Sequence, residues 1–369
     1  MCVTARLSRL RGMSTSRRTL DRLDVDQTLV AKLESRGCRT AEDALYRSPL
    51  DVVELADCSH VRARELLRGV ARAVAPAPTT AFDALRAAKF IPTLVKDVDR
   101  ALGGGLAIGS VTEVVGAAGA GKTQLCLTAC ASACAPTRVG GADGGVIYID
   151  AERKFSGARL EEIARAKFGE AFASEVEAEA TWNRVRVATP TSLSDLAKRL
   201  EALEEAIIDH KVRLVIIDSV AHLARGEFGR EKVMQRQSVL GAIAATLKRH
   251  AEKHGLAVLA VNQVTTRIGG AITHGAHDAS LREPPAPGAE EESSGITAAL
   301  GTKWAHCVNT RVVLEVTPDK RLIKIVKSPL APLTAFRYHV DSSGIVIDET
   351  MNSSSMRARE ANVASTHRR

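Results

Sequence analysis

The sequence predicts an α/β protein: a mostly parallel sheet with helices on both faces and antiparallel edge strands, preceded by a small all-α domain. Three observations predict it. Short β-rich runs alternate with helical periodicities from Ser110 to Val261, which requires a parallel sheet covered on both faces. From Val312 to Ile347 strands follow one another without helices, which reads as hairpins extending one edge of the sheet. Ahead of both, apolar residues recur at helical spacing from Leu29 to Val70. Breaks at Gly37, Ser48-Pro49 and Asp57-Cys58-Ser59 divide that stretch into short helices joined by tight turns.

In chain order, residues 1–19 form a basic, Ser-rich leader and 20–75 the helical module. Residues 76–90 form a linker rich in Pro and Thr, 91–348 the core, and 349–369 a tail that reads as disordered. Within the core the runs are Ser110–Val115, a helix from Lys122 to about Ala135, Val146–Asp150 and a helix from about Gly157. Then come Val185–Ala188, a helix over Ser194–Asp209, Leu214–Asp218, a helix from about Val233 to Lys253, and Ala257–Val261. The edge strands are Val312–Glu315, Ile323–Val326, Phe336–Val340 and Ile345–Ile347. Residues 266–296 are too long, polar and rich in Gly and Pro for a packed element, and a loop of that length is usually functional or disordered.

Composition bounds the function. At 369 residues with 45% hydrophobic content, the chain has material for two packed domains. No apolar run approaches the ~20 residues of a membrane span, and the leader lacks the apolar centre of a secretory signal, so an intracellular protein without membrane partners is expected. A net charge of +8 favours a polyanionic partner, while 3% aromatics argues against stacking bases on an aromatic platform. Any nucleic acid must then be held mainly by its backbone. Seven cysteines without a C-x-x-C pair indicate neither a disulfide framework nor a zinc ribbon. Cys126, Cys130 and Cys134 share one helical face and read as packing; His274 and His277 lack partner ligands for a metal.

The strongest motif is Gly116-Ala117-Ala118-Gly119-Ala120-Gly121-Lys122-Thr123, a G-x-x-x-x-G-K-T between an apolar strand and a helix. Its glycines let backbone N–H groups turn towards phosphates, Lys122 reaches the β and γ phosphates, and Thr123 is the Mg²⁺ ligand. Asp218 ends an apolar strand, where a carboxylate either holds the metal's water shell or caps the next helix. Glu152 follows the strand ending at Asp150, which should lie beside the phosphate-loop strand, and it can orient an attacking water. Asn262 and Gln263 close a further strand, where their amides either sense the γ phosphate or simply terminate it. No N-K-x-D element for guanine occurs, so ATP is the expected nucleotide, with Mg²⁺.

The order GGGLAIGSVTEVVGAAGAGKTQ, VIYIDAE, RLVIIDSV and AVNQVTT resembles the RecA and RadA class of strand-exchange ATPases, with the eukaryotic helical module in front. Coverage runs from about Leu20 to Ile347. More narrowly, TKWAHCVNTRVVL, IVKSPLAPLTAF and the spacing of FSGARLEEIA resemble the B-type paralogues of the eukaryotic recombinase. The resemblance implies a RecA-like P-loop core behind a helix-hairpin-helix-like module. It also implies a nuclear DNA-dependent ATPase of homologous recombination and double-strand-break repair. Such a protein binds single-stranded and branched DNA. It joins C-type and other paralogues in a hetero-oligomer that supports the main strand-exchange recombinase. A homofilament-forming recombinase and an ATP-stabilised, non-hydrolysing scaffold are the alternatives. The Arg- and Ser-rich leader keeps a mitochondrial location open.

Position by position, the resemblance assigns Glu152, Lys122 and Gln263 to catalysis. It assigns Gly116 to Thr123, Gln124 and Asp218 to nucleotide binding, and Thr123 and Asp218 to Mg²⁺. Arg225, Arg230, Lys232 and Arg236 match a first DNA-facing loop and 264–295 a second, although a basic cluster is also the signature of a solvated face. Departures from the family pattern are informative. Phe82 is followed three residues later by Leu85 where polymerising recombinases carry Ala, and a methyl-sized pocket resists leucine. Lys327 replaces an acid before Ser328-Pro329, in the stretch that caps a neighbour's ATP, and is expected to bind the γ phosphate across a subunit boundary. Arg153 replaces the usual glycine after Glu152. Asp57-Cys58-Ser59 lacks the hairpin glycine that lets a backbone approach DNA, so the module reads as a protein contact.

Overall fold

The structure, a computed structural model, describes residues 18–75, 78–169, 174–227, 233–268, 271–273, 296–298 and 300–348. The tail, most of the leader, Arg230, Lys232, His274 and His277 lie outside the described residues. The chain divides into two compact units, Met1–Ala87 and Ala88–Arg369.

In the first unit, helices α1 (Gln27–Ser35), α2 (Ala41–Leu45), α3 (Pro49–Ala56) and α4 (His60–Val74) surround a core of Leu29, Leu33, Val52, Leu66 and Val70. Their starts are written in the sequence. Asp26 caps α1, Thr40 with Asp43 and Ser48 with Asp51 form capping boxes, and Ser59 caps α4. Asp57 takes the left-handed conformation at the end of α3, φ 46°, a position glycine would fill without strain. The segment read as linker contains helix α5 (Ala81–Ala87), on which Phe82 and Leu85 are both exposed. Arg86 lies over the Phe82 ring at 4.5 Å.

The second unit is built on one sheet. Its strands are β3 (Val111–Gly116), β4 (Gly145–Asp150), β5 (Val185–Ala188), β6 (Val212–Asp218), β7 (Ala257–Ile268), β10 (Thr310–Val316), β11 (Arg321–Lys327), β12 (Thr334–Asp341) and β13 (Gly344–Ile347). They lie in the order β13-β12-β11-β10-β3-β7-β6-β4-β5. From β10 to β5 every pairing is parallel, and β10 to β13 are joined by antiparallel pairs, as the helix-free last third requires. A separate pair, β1 (Phe90–Ile91) and β2 (Leu106–Ala107), precedes it, with α6 (Lys96–Ala101) between them.

The helices are α7 (Lys122–Cys134), α8 (Gly157–Phe168), α9 (Glu175–Trp182), α10 (Leu193–Glu201), α11 (Leu203–Asp209), α12 (Val220–Glu227), α13 (Val233–His254) and α14 (Gly301–Cys307). Two apolar clusters cover the sheet's faces, one containing Leu127, Tyr148 and Leu259, the other Ile149, Leu247 and Trp304. Cys126, Cys130 and Cys134 are buried in the first, as packing residues. No described helix is long and apolar enough to cross a membrane.

Three expectations are corrected. The strand before Glu152 does not neighbour the phosphate-loop strand: β7 and β6 lie between β3 and β4. Leu214–Ile217 of β6 and Ala257–Val261 of β7 are apolar and buried throughout, so these stretches belong in the sheet's middle. The helix expected over 194–209 is divided at Ala202 into α10 and α11. Within 266–296, β7 continues to Ile268 and pairs antiparallel with β8 (Ala271–Thr273) and β9 (Ile296–Ala298); residues 274–295 lie outside the described residues.

Candidate nucleotide-binding site

The loop from Gly116 to Thr123 joins the end of β3 to the start of α7. Gly116 is required by packing, since a Cβ there would stand 2.6 Å from the Leu314 carbonyl oxygen of β10. Gly121, at φ 94°, turns the chain into the helix against Val340, Ile345 and Tyr338. Ala117, Ala118 and Gly119 are exposed and Ala120 is buried. Two side chains from the edge hairpins grip the loop. The Tyr338 hydroxyl donates to the Ala120 carbonyl at 2.5 Å, and Arg321 Nη1 donates to the Gly119 carbonyl at 3.0 Å.

Lys122 folds back over the loop, its ammonium donating to the carbonyls of Gly116 (2.9 Å) and Ala117 (2.7 Å). Burial lowers its pKa, against the pull of Asp218 and Glu152. Thr123 Oγ1 donates to Asp218 Oδ2 at 2.7 Å, and the Tyr148 hydroxyl donates to the same oxygen at 3.1 Å. Burial pushes the Asp218 carboxyl up, and these two hydrogen bonds oppose it. No group of three or more His, Cys, Asp or Glu suited to a metal occurs among the described residues. The Thr123–Asp218 pair still fits Mg²⁺, which takes one or two protein oxygens and completes its shell with water and phosphate.

Glu152 extends from the end of β4 across the ends of β6 and β7. Its Oε1 accepts from Ser219 Oγ (2.6 Å) and Gln263 Nε2 (3.2 Å), and Oε2 accepts from Lys154 Nζ (2.5 Å). Burial raises its pKa, but the bonds from Lys154 and Ser219 outweigh that and hold it at about 2. The carboxylate therefore reaches Gln263 although two strands separate its own strand from β3. Asn262 separates from Gln263: its Nδ2 donates to buried Glu113 Oε1 at 2.7 Å, and its Oδ1 accepts the Gln263 amide at 2.8 Å. Only Gln263 thus faces the site.

Gln124 is engaged within the protein. Its Oε1 accepts from Arg159 Nε at 2.8 Å, and Arg159 also donates to the carbonyls of Ser342 (3.0 Å) and Asp341. Lys327 is not brought to this loop. Its ammonium donates to the carbonyls of Ala305 (2.8 Å) and Val308 (2.6 Å) around the end of α14. Lys327 and Arg321 stand at opposite ends of β11, roughly 20 Å apart at strand rise, and Arg321 is the end beside the loop. Of the expected DNA-facing cations, Arg225 falls on α12 and Arg236 is half-buried on α13.

Ser219, Lys154, Arg159, Arg321 and Tyr338 are site residues that sequence reasoning missed. Lys154, two residues after Glu152, was within reach of a motif; Arg321 and Tyr338 come from some 200 positions away and carry no local signal.

The Rad51 family model matches residues 87–348, a stretch that spans all these residues. This chain belongs to the Rad51 family. A model described as the XRCC3/RpoA-like helix-hairpin-helix domain matches residues 20–74, so the Rad51 core follows a helical module of that type. The chain is 38% identical to human DNA repair protein RAD51 homolog 2, over 90% of this chain and 89% of the relative. It is 34% identical to the Arabidopsis thaliana protein of the same name, over 84% and 85%. With DNA repair protein RAD51 of Saccharomyces cerevisiae the identity is 30%, over 86% and 74%. The recombinase-paralogue resemblance read from the motifs, and the RecA-like fold it implied, are both borne out.

Proposed function

We propose that this chain is a Mg²⁺-dependent ATPase of homologous recombination and DNA repair, working in the nucleus on single-stranded and branched DNA. Its setting is a hetero-oligomer with C-type and other paralogues that supports the main recombinase. The observation that carries the reading is the meeting of three strand ends: Lys122 and Thr123 after β3, Asp218 with Ser219 after β6, and Glu152 held by Gln263 of β7. Relatives named as DNA repair proteins support the biological setting.

In this reading the loop's amides and the Lys122 ammonium exchange their internal partners for phosphate oxygens. Thr123 and Asp218 hold Mg²⁺, which neutralises charge on the phosphates when bound. Glu152, already ionised, accepts a hydrogen bond from the attacking water, and Gln263 reports the terminal phosphate to the chain that follows β7. Lys327 lies too far from its own loop and serves a neighbouring subunit's nucleotide. The basic residues after Asp218 meet DNA phosphates, with salt-dependent and sequence-tolerant affinity.

A second reading, a scaffold that binds ATP without needing to split it, is favoured by one observation. Ser219, Gln263 and Lys154 already occupy the Glu152 carboxylate. Comparing Lys122→Ala with Glu152→Gln in paralogue assembly and ATP turnover separates the two. An ATPase loses turnover in both variants. A scaffold loses assembly in Lys122→Ala and is indifferent to Glu152→Gln.

A further inference from the structure

Lys154 is presented to the nucleotide site by a fixed turn. Buried Asp150 accepts the amides of Lys154 (3.0 Å) and Phe155 (2.8 Å), and the Phe155 ring packs edge-on against buried Tyr148 with centroids 4.9 Å apart. These contacts hold the backbone that carries Lys154, and the side chain projects from it. That side chain is 60% exposed and reaches back to Glu152, whose own side chain is only 10% exposed. The ammonium also disfavours charge on Lys122, while Asp218 and Glu152 favour it, so the four groups share one electrostatic field. Asp150, on the Lys154 amide, adds a third carboxylate to the charges acting on the Lys154 ammonium.

We propose that Lys154 is a positioning residue that acts as the counter-ion of Glu152 and so lets the cleft take a nucleoside triphosphate in preference to a diphosphate. The inference rests on reading the cleft as an ATP site. Gln263 and Ser219 hold Glu152 through Oε1 and Lys154 holds it through Oε2, and in the ATP reading this carboxylate faces the terminal phosphate. Without Lys154 the carboxylate would face that phosphate with its charge uncompensated. A diphosphate lacks the phosphate concerned and escapes the repulsion. Between partly buried charges screened by solvent, the effect is about tenfold in affinity.

The test uses the full chain with excess Mg²⁺, measuring ATP and ADP affinity by displacement of a fluorescent nucleotide. In Lys154→Met the Kd for ATP is expected to rise about tenfold while that for ADP stays within about twofold. Lys154→Arg keeps the wild-type ratio. Lys154→Met combined with Glu152→Gln restores it, because no charge then needs compensating. Equal weakening of both nucleotides, an unchanged ratio, or failure of the double variant to restore it would overturn the proposal. Turnover is not read, so a chain that binds ATP without hydrolysing it leaves the test intact. A wild type that binds neither nucleotide overturns both this proposal and the reading of the site.

Discussion

Replacing Arg311 with Met is expected to cost about 3 kcal/mol of stability, and the reason lies beneath the phosphate loop. Glu113, in the middle of β3, is fully buried and accepts from Arg311 Nε (2.5 Å), Asn262 Nδ2 (2.7 Å) and Trp304 Nε1 (2.8 Å). Removing one partner of a buried ion pair strands the other charge, at about 3–5 kcal/mol. The two neutral donors that stay on the carboxylate, Asn262 and Trp304, point to the lower end. Glu113→Gln leaves an acceptor for the neutral donors and strands only a partly hydrated cation, so about 1–2 kcal/mol is expected. The double variant should cost less than the sum of the singles by about 2 kcal/mol. Guanidinium unfolding followed by tryptophan fluorescence reads all three variants, with Trp304 itself in the cluster. An Arg311→Met cost below about 1 kcal/mol, or strict additivity, would refute the reasoning. The cluster matters for function because Asn262, fixed by Glu113, accepts the backbone amide of Gln263.

Other consequences follow from the same geometry. Tyr338→Phe removes the hydroxyl that grips the Ala120 carbonyl, so stability should fall by about 1 kcal/mol and ATP affinity with it; isothermal titration with an unaltered Kd would count against a loop set by the edge hairpin. Glu152 titrates at about 2 in the folded chain against about 4.3 unfolded. Its stabilising contribution is therefore complete above about pH 4.3 and is lost as pH falls through about 2. The stability difference between wild type and Glu152→Gln should shrink on acidification between these values, and a difference independent of pH contradicts the ion pair with Lys154. Leu85→Ala places on an exposed helix the small side chain that the family resemblance links to polymerisation, so self-association should rise several-fold in sedimentation velocity; a monomeric variant removes Leu85 as the block.

The elements nearest the phosphate chemistry were legible because they are local. A loop of fixed spacing between a strand and a helix gave Gly116 to Thr123, and an acid ending an apolar run gave Asp218. Strand neighbours were not legible: periodicity tells which face of a strand is buried, not which strand lies beside it. The sequence therefore places Glu152 next to β3, whereas in the fold it reaches across from β4 over β6. Long-range grips such as Arg321 on Gly119 and Tyr338 on Ala120 depend on the folded hairpins and leave no mark at either position. Glu113 reads as an odd acid in an apolar strand until Arg311, Trp304 and Asn262 converge on it. Lys327 shows the complement: its departure from the family pattern was visible, whereas its place at the far end of β11 came only from strand register.

The proposal that this chain splits ATP within a DNA-bound assembly of paralogues is put to the sharpest test by ATP turnover of the purified chain. Turnover is measured with and without single-stranded DNA and with and without the C-type paralogue, using Lys122→Ala as the blank. Turnover that DNA or the partner stimulates, and that the variant abolishes, is the expected result. ATP bound but never hydrolysed, under every one of these conditions, would contradict it.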